Sequence, residues 1–195
     1  MNDHEYKGED CLKDPFRIKV VVLNHNQRES SESLFHSLSE GFDDVELIDC
    51  GSLSENVSES TTIRLSNVYW EGAWRDAMSL WGGTCEVLWV LGGDVSLDCS
   101  VHDYRSAIED SYPFGCWSAS VRGRAHPFMS SDKSKKRNGV KNIEGMGLAV
   151  SGILMDRIDC RFELSTKFGY GQDYWLCAKS RENGLKNYID GRVVI

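Results

Sequence analysis

Five apolar residues in a row, Val87-Leu88-Trp89-Val90-Leu91, stop at Gly92-Gly93 and are followed at once by Asp94. A strand with one face in water alternates polar and apolar side chains. An unbroken apolar run reads instead as a strand covered on both faces, in the middle of a parallel sheet. Helices must then flank it. The surrounding sequence supplies them.

Residues 18–26, IKVVVLNHN, are β-branched and end in polar residues, as a buried strand feeding a loop would. Residues 28–42 space Leu34, Leu38 and Phe42 four apart, with Gly41 near the stop, which predicts a helix. Residues 45–52, VELIDCGS, form a second short strand ending at Asp49 and a Gly-Ser turn. Strand, helix and strand within about 35 residues match a βαβ unit. Residues 63–68 suggest a third strand. Residues 71–83 place Trp74, Ala77, Met78 and Trp81 at i, i+3, i+4 and i+7 before two glycines, an amphipathic helix with a stop.

In the second half, 102–113 predict a helix ended before Pro113. Residues 115–121 and the glycine-rich 145–155 read as strands, and 130–142 as a basic loop. Residues 172–184 read as a helix with Asp173 in its first turn and Gly184 at its end, and 185–195 as one or two short strands. The fold class is therefore α/β: one domain with a mostly parallel central sheet flanked by helices. Residues 1–16 read as a polar leader and 17–195 as the domain. Ligands of such sheets sit beyond the carboxyl ends of the strands. Asn26, Asp49 and Asp94 each follow a strand, which predicts one shared crevice. The glycine pair before Asp94 would let backbone approach a ligand closely.

Charge narrows the function. The 195 residues carry a net charge of −8, which disfavours broad binding to phosphate backbones. No apolar run reaches the roughly 20 residues of a membrane helix. The seven cysteines are odd in number and contain no C-x-x-C pair. That fits free thiols in a reducing, cytoplasmic setting better than a disulfide framework or zinc ribbon. His102 and His126 have no partners at metal-ligand spacing. Lys133, Lys135, Lys136 and Arg137 read as a solvated basic loop.

Four short motifs, in order, resemble those of a family 2 glycosyltransferase, a nucleotide-sugar enzyme with the GT-A fold. Asn24-His25-Asn26 stands where that family has a T-Y-N type motif. Asp49-Cys50-Gly51-Ser52 matches its D-x-G-S. Gly92-Gly93-Asp94-Val95 stands at its D-x-D. The stretch from 168 to 195 matches its late G-x-x-x-x-D-x-x-L-x-x-R-x-x-x-x-G pattern. The resemblance covers roughly 17–195. It implies a nucleotide-binding half at about 17–100 and an acceptor-binding half at about 101–195. Gly92 replaces the first acid of D-x-D, Gln172 stands where an acid is common, and Lys179 lies near a usual arginine. The family often has a metal-binding histidine after a terminal Val-Val strand. The sequence here reads Val193-Val194-Ile195.

What the resemblance implies can be stated residue by residue. Asp94 would hold Mn²⁺ or Mg²⁺ against the diphosphate of a nucleotide-diphosphate sugar. Asn26, Asp49, Gly51, Ser52, Arg75, Asp76 and Gly93 would meet the nucleotide. Asp173 would take the proton of an acceptor hydroxyl in an inverting transfer to a glycan, lipid-linked or protein acceptor, a step of glycan biosynthesis. Each position also has a plainer reading: a turn acid at Asp94, an Asx turn at Asp49, a helix cap at Asn26, a solvated helix face at Arg75 and Asp76, and a helix-dipole acid at Asp173. The rival function is a sugar-nucleotide-binding or assembly module with the same fold and no catalysis. Nicotinamide and P-loop chemistries are excluded by the absence of their glycine motifs.

Overall fold

The structure is a computed structural model that describes residues 16–122, 129, 137–161 and 171–195. The leader through residue 15, His126, Lys133, Lys135 and Lys136 lie outside the described residues. The first half runs β1 (Ile18–Asn24), α1 (Arg28–Ser39), β2 (Val45–Cys50), β3 (Ile63–Leu65), α2 (Tyr69–Trp81) and β4 (Val87–Gly92). The second half runs α3 (Val101–Ser111), β5 (Cys116–Ser120), β6 (Asn138–Val140), β7 (Gly147–Ser151), α4 (Gly152–Arg157), α5 (Gln172–Glu182) and β8 (Asn187–Val194).

The strands form one sheet in the order β3-β2-β1-β4-β7-β5-β8-β6. Four of its seven ladders are parallel: β2 with β3, β1 with β2, β1 with β4, and β5 with β8. Strand β7 runs antiparallel between β4 and β5, and β6 closes the far edge antiparallel to β8. The first half is thus a parallel sheet of the expected kind.

The apolar run of β4 is explained by two cores. Leu88 and Val90 enter one, with Val21, Trp74 and Met78 of α2 and Leu176 of α5. Trp89 and Leu91 enter the other, with Val20, Leu38 of α1 and Ile108 of α3. Successive side chains point to opposite faces, so a strand feeding two cores has no position left for a polar residue. Trp89 anchors its core by stacking on Tyr104 at 5.6 Å and meeting Trp117 edge-on at 6.0 Å.

Two stretches differ from the sequence reading. Residues 145–155 are a strand only through Ser151. There the Ser151 side chain accepts a hydrogen bond from the Leu154 N–H at 3.2 Å and caps helix α4. Apolar residues buried on either element look alike in sequence, and only the serine marks the change. The basic stretch at 130–142 contains the short edge strand β6, held by its partner β8.

Candidate active site

The carboxyl ends of β1, β2 and β4 lie level. Asn24 is in register with Asp49, and Leu23 with Gly92. Asn24, rather than Asn26, is the last residue of β1. Its buried amide nitrogen donates to Asp49 Oδ1 at 3.0 Å and to the Asn56 carbonyl at 2.9 Å. Its oxygen accepts from the Gln27 N–H at 2.9 Å and the Ser31 hydroxyl at 3.2 Å. Asp49 is buried too. Its second oxygen accepts from the Ser52 N–H at 3.2 Å and faces Arg64 Nε at 3.6 Å. These two residues tie the strand ends together from behind the crevice wall, and Asn24 alone of the pair reaches the cavity lining.

Asn26 does a different job. Its φ of 59° is left-handed, its N–H donates to Ser52 Oγ at 2.8 Å, and its Oδ1 accepts from the Leu53 N–H at 2.8 Å. It clasps the turn after β2. That turn needs Gly51 at a φ of +73°, where a Cβ would stand 2.5 Å from the Asn67 nitrogen. Asn26, Gly51 and Ser52 therefore shape the two loops and do not line the crevice.

The crevice has two parts. The larger, about 860 Å³, is lined by Asp94, Asp98, Arg122, Glu144, Gln172 and Asp173 among others. The smaller, about 390 Å³, is lined by His25, Gln27, Cys50, Asn67, Tyr69 and Gly93 among others. Trp70, Gly92 and Asp94 line both. Asp94 thus stands at the junction. It is exposed, and no hydrogen bond or ion pair engages its carboxylate among the described residues. The glycine pair makes this possible. A Cβ on Gly92 would stand 2.8 Å from Asp94 Oδ1, and one on Gly93 would stand 2.1 Å from Ser31 Oγ.

Asp173 lies across the larger cavity's lining, in the first turn of α5. Gly171, with a φ of 93°, turns the chain into that helix. Asp173 Oδ1 accepts from the Tyr174 N–H at 2.8 Å and Oδ2 from the Gly145 N–H at 3.1 Å. Burial pushes its carboxyl above the usual carboxylate range, and these backbone N–H groups only partly offset that. Its neighbour Gln172 is 1% exposed. Neither polar atom of its amide has a hydrogen-bond partner among the described residues.

Arg75 and Asp76 are not brought to the crevice. They lean on each other at 3.6 Å and line neither cavity. Helix α2 meets the crevice through Tyr69, Trp70 and Ala73, and Arg75 and Asp76 lie further along it. Trp70 and Tyr69 take that place, Tyr69 with a left-handed φ of 56°. Sequence reasoning missed them, and it missed His25. His25 Nδ1 lies 2.9 Å from the Cys50 carbonyl; since a carbonyl only accepts, Nδ1 carries the proton. The rule that found Asp94, polar residues just past a strand, also points to His25. Nothing local marks Glu144.

One free carboxylate at the junction suits a hard divalent cation shared with ligand phosphates, the usual mode for Mg²⁺. It does not suit a cage made by protein alone: among the described residues no group of three or more side chains could hold a metal ion.

No family model and no curated sequence matches the chain. Solved structures do, and they share one class of fold: the GT-A fold of nucleotide-sugar glycosyltransferases. The mannosyltransferase PcManGT from Pyrobaculum calidifontis, in complex with GDP-Man and Mn²⁺, superposes with a TM-score of 0.67 at 16% identity, over 92% of this chain and 56% of that one. GalNAc-T7 with UDP, GalNAc and Mn²⁺ gives 0.65 at 13% identity, over 93% and 44%. TarS of S. aureus in complex with UDP-GlcNAc gives 0.62 at 13%, over 92% and 58%. The chain thus spans about half the length of these proteins.

Proposed function

We propose that this chain transfers a sugar from a nucleotide-diphosphate sugar to an acceptor hydroxyl, with inversion at the anomeric carbon. The observation that carries the reading is that Asp94 and Asp173 line one cavity at the carboxyl ends of the parallel strands. The ligands of the similar structures, GDP-Man, UDP and UDP-GlcNAc, support the donor class. In this reading the smaller cavity takes the nucleoside. Asn26, Asp49, Gly51 and Ser52 hold its loops in shape, and Gly93 lies in its wall. Asp94 holds Mn²⁺ or Mg²⁺ at the junction. When bound, the ion neutralises charge on the departing diphosphate.

Asp173 is the base. Two backbone N–H groups fix its carboxylate, so a lone pair has a set direction toward an acceptor in the larger cavity. The proton of the acceptor hydroxyl passes to Asp173 as the oxygen attacks the anomeric carbon and the nucleoside diphosphate leaves. A carboxyl raised by burial is a stronger base than an ordinary one. The six cysteines among the described residues are free thiols, which supports a reducing, cytoplasmic setting. The acceptor is a glycan, lipid-linked or protein hydroxyl.

The test is Asp173→Asn, which keeps shape but takes no proton. Transfer should fall by about 10²- to 10⁴-fold while calorimetric affinity for the nucleoside diphosphate stays at the parent value. Transfer at the parent rate would refute the assignment. A parent that binds donor yet never transfers would promote the second reading, a sugar-nucleotide-binding module. The observation favouring that reading is Gly92, which leaves Asp94 as the single acid of its motif.

A further inference from the structure

The indole of Trp70 stands where the two cavities meet. The side chain is half-buried, packs against the core that holds Trp74 and Leu176, and lines both cavities. Two glycines show how the ring lies. A Cβ on Gly92 would stand 3.9 Å from Trp70 Cζ3, and one on Gly145 would stand 3.2 Å from Trp70 Nε1. Gly92 opens the turn that presents Asp94, and the Gly145 N–H holds Asp173 Oδ2 at 3.1 Å. The indole therefore reaches from the backbone beside one acid to the backbone beside the other. Its N–H is also available. The indole nitrogens of Trp74 and Trp117 are sealed in the core, and that of Trp89 donates to the Gly147 carbonyl at 3.0 Å. Trp70 Nε1 is not sealed, and no hydrogen bond engages it among the described residues.

We infer that Trp70 is the platform on which the sugar of the donor lies, and so a residue that selects it. This rests on the glycosyl-transfer reading and deepens it. In that reading the sugar is joined to the diphosphate at the Asp94 end and attacked from the Asp173 end. It must lie between the two acids, and Trp70 is the aromatic side chain that lines the space on both sides of that point. A pyranose has C–H groups that leave water when they meet an aromatic face, and hydroxyls that need partners. An indole serves both, with a broad apolar face and one N–H donor at its edge. One sugar hydroxyl accepts from Nε1 while the ring covers the C–H groups. Gly145 keeps that edge open, since a side chain there would crowd it. The rival occupant of the ring is the nucleobase. Two observations disfavour it. The smaller cavity has a lining of its own at His25, Gln27, Asn67 and Tyr69, and Trp70 Nε1 lies on the Gly145 side, toward the larger cavity.

The test separates sugar from nucleotide. Calorimetry on the full chain with Mg²⁺ compares UDP with UDP-glucose and UDP-N-acetylglucosamine, and GDP with GDP-mannose. In the base series that the parent binds, Trp70→Leu should weaken the nucleotide sugar about tenfold and leave the nucleoside diphosphate at the parent value. Trp70→Phe keeps an aromatic face and loses the N–H, so its loss should be smaller. Because the ring also packs against the core, a second measurement uses the parent itself. In the Mg²⁺ complex, the indole resonances that Trp70→Phe lacks should show NOEs to ring hydrogens of the sugar. Equal weakening of diphosphate and nucleotide sugar, NOEs to the nucleobase in place of the sugar, unchanged nucleotide-sugar affinity in Trp70→Leu, or a parent that binds a diphosphate but none of the nucleotide sugars would each overturn the inference. Failure of the glycosyl-transfer reading shows separately, as a parent that binds no nucleoside diphosphate, and it removes this inference too.

Discussion

Gly93→Ala tests whether the strand end is shaped by packing. The added methyl would stand 2.1 Å from Ser31 Oγ, 3.1 Å from Ser31 Cβ and 2.9 Å from the Leu23 carbonyl oxygen. None of these can yield cheaply. The Leu23 carbonyl already accepts the Gly93 N–H at 2.9 Å, so it is fixed to the residue that would push it. Ser31 is fully buried, and its single hydroxyl proton is shared between the Gln27 carbonyl at 2.8 Å and Asn24 Oδ1 at 3.2 Å. Turning it away costs those bonds and loosens Asn24, which holds Asp49. Overpacking of this kind costs about 1–3 kcal/mol. With the serine bonds at risk we expect about 2 kcal/mol, a fall in melting temperature of about 4–8 °C at this chain length. In urea the midpoint should move down with the slope unchanged.

Two companions make the reasoning refutable. Gly83 is exposed and meets nothing within 4 Å, so Gly83→Ala should stay within about 0.5 kcal/mol of the parent. Ser31→Ala removes the hydroxyl that the new methyl would strike. The double variant should therefore lose less than the two single losses combined, with a coupling of about 0.5 kcal/mol or more. A Gly93→Ala protein as stable as the parent, or strictly additive losses, would show that the glycine is not required by Ser31.

Two further outcomes follow from the carboxylates. Asp94→Ala removes the unpaired acid at the junction, and calorimetry with Mn²⁺ should find nucleoside diphosphate binding weakened at least about tenfold, or about 1.4 kcal/mol; equal affinity would count against Asp94 as the metal ligand. The pH profile of transfer should have an acid limb displaced above the ordinary carboxylate range of about 4, because Asp173 must be deprotonated to act and burial raises its carboxyl. The sign for stability runs the other way: a raised carboxyl contributes stability that is present below the unfolded value and lost as pH rises through the folded one, so unfolding free energy should fall across that window, and Asp173→Asn should flatten the fall.

The parallel half of the sheet was legible because its signals are local. A strand that feeds two cores must be apolar throughout, and the β4 run says so without reference to anything else. The same rule misjudged residues 145–155, where β7 passes into α4. There both elements bury apolar residues, so composition does not change at the boundary, and the capping bond from Leu154 to Ser151 decides it. Edge strand β6 was hidden for the opposite reason: Asn138, Gly139 and Val140 are too few to show a strand pattern, and pairing to β8 across nearly fifty residues of chain holds them.

The site divides along the same line. Asp94 and Asp173 could be found because each sits where a strand or a helix begins or ends, and both reach the cavity. Asn26 and Asn24 carry the same side chain two residues apart, and sequence offers no ground for choosing between them. The choice is made by the pleat and by the turn. Asn24 still belongs to the strand and is in register with Asp49, whereas Asn26 has left it with a left-handed φ and spends its side chain on Leu53. Asp49 is then a residue whose burial decides its role. With one oxygen on Asn24 and the other on the Ser52 N–H, it gives the loops at the strand ends their shape. Glu144 and Gly145 reach the cavity only because β7 runs back beside β4 and delivers the loop before it to the carboxyl end of that strand. That delivery also supplies the N–H that holds Asp173. Asp173 therefore depends on a long-range antiparallel ladder, while Asp94 depends on its own two glycines.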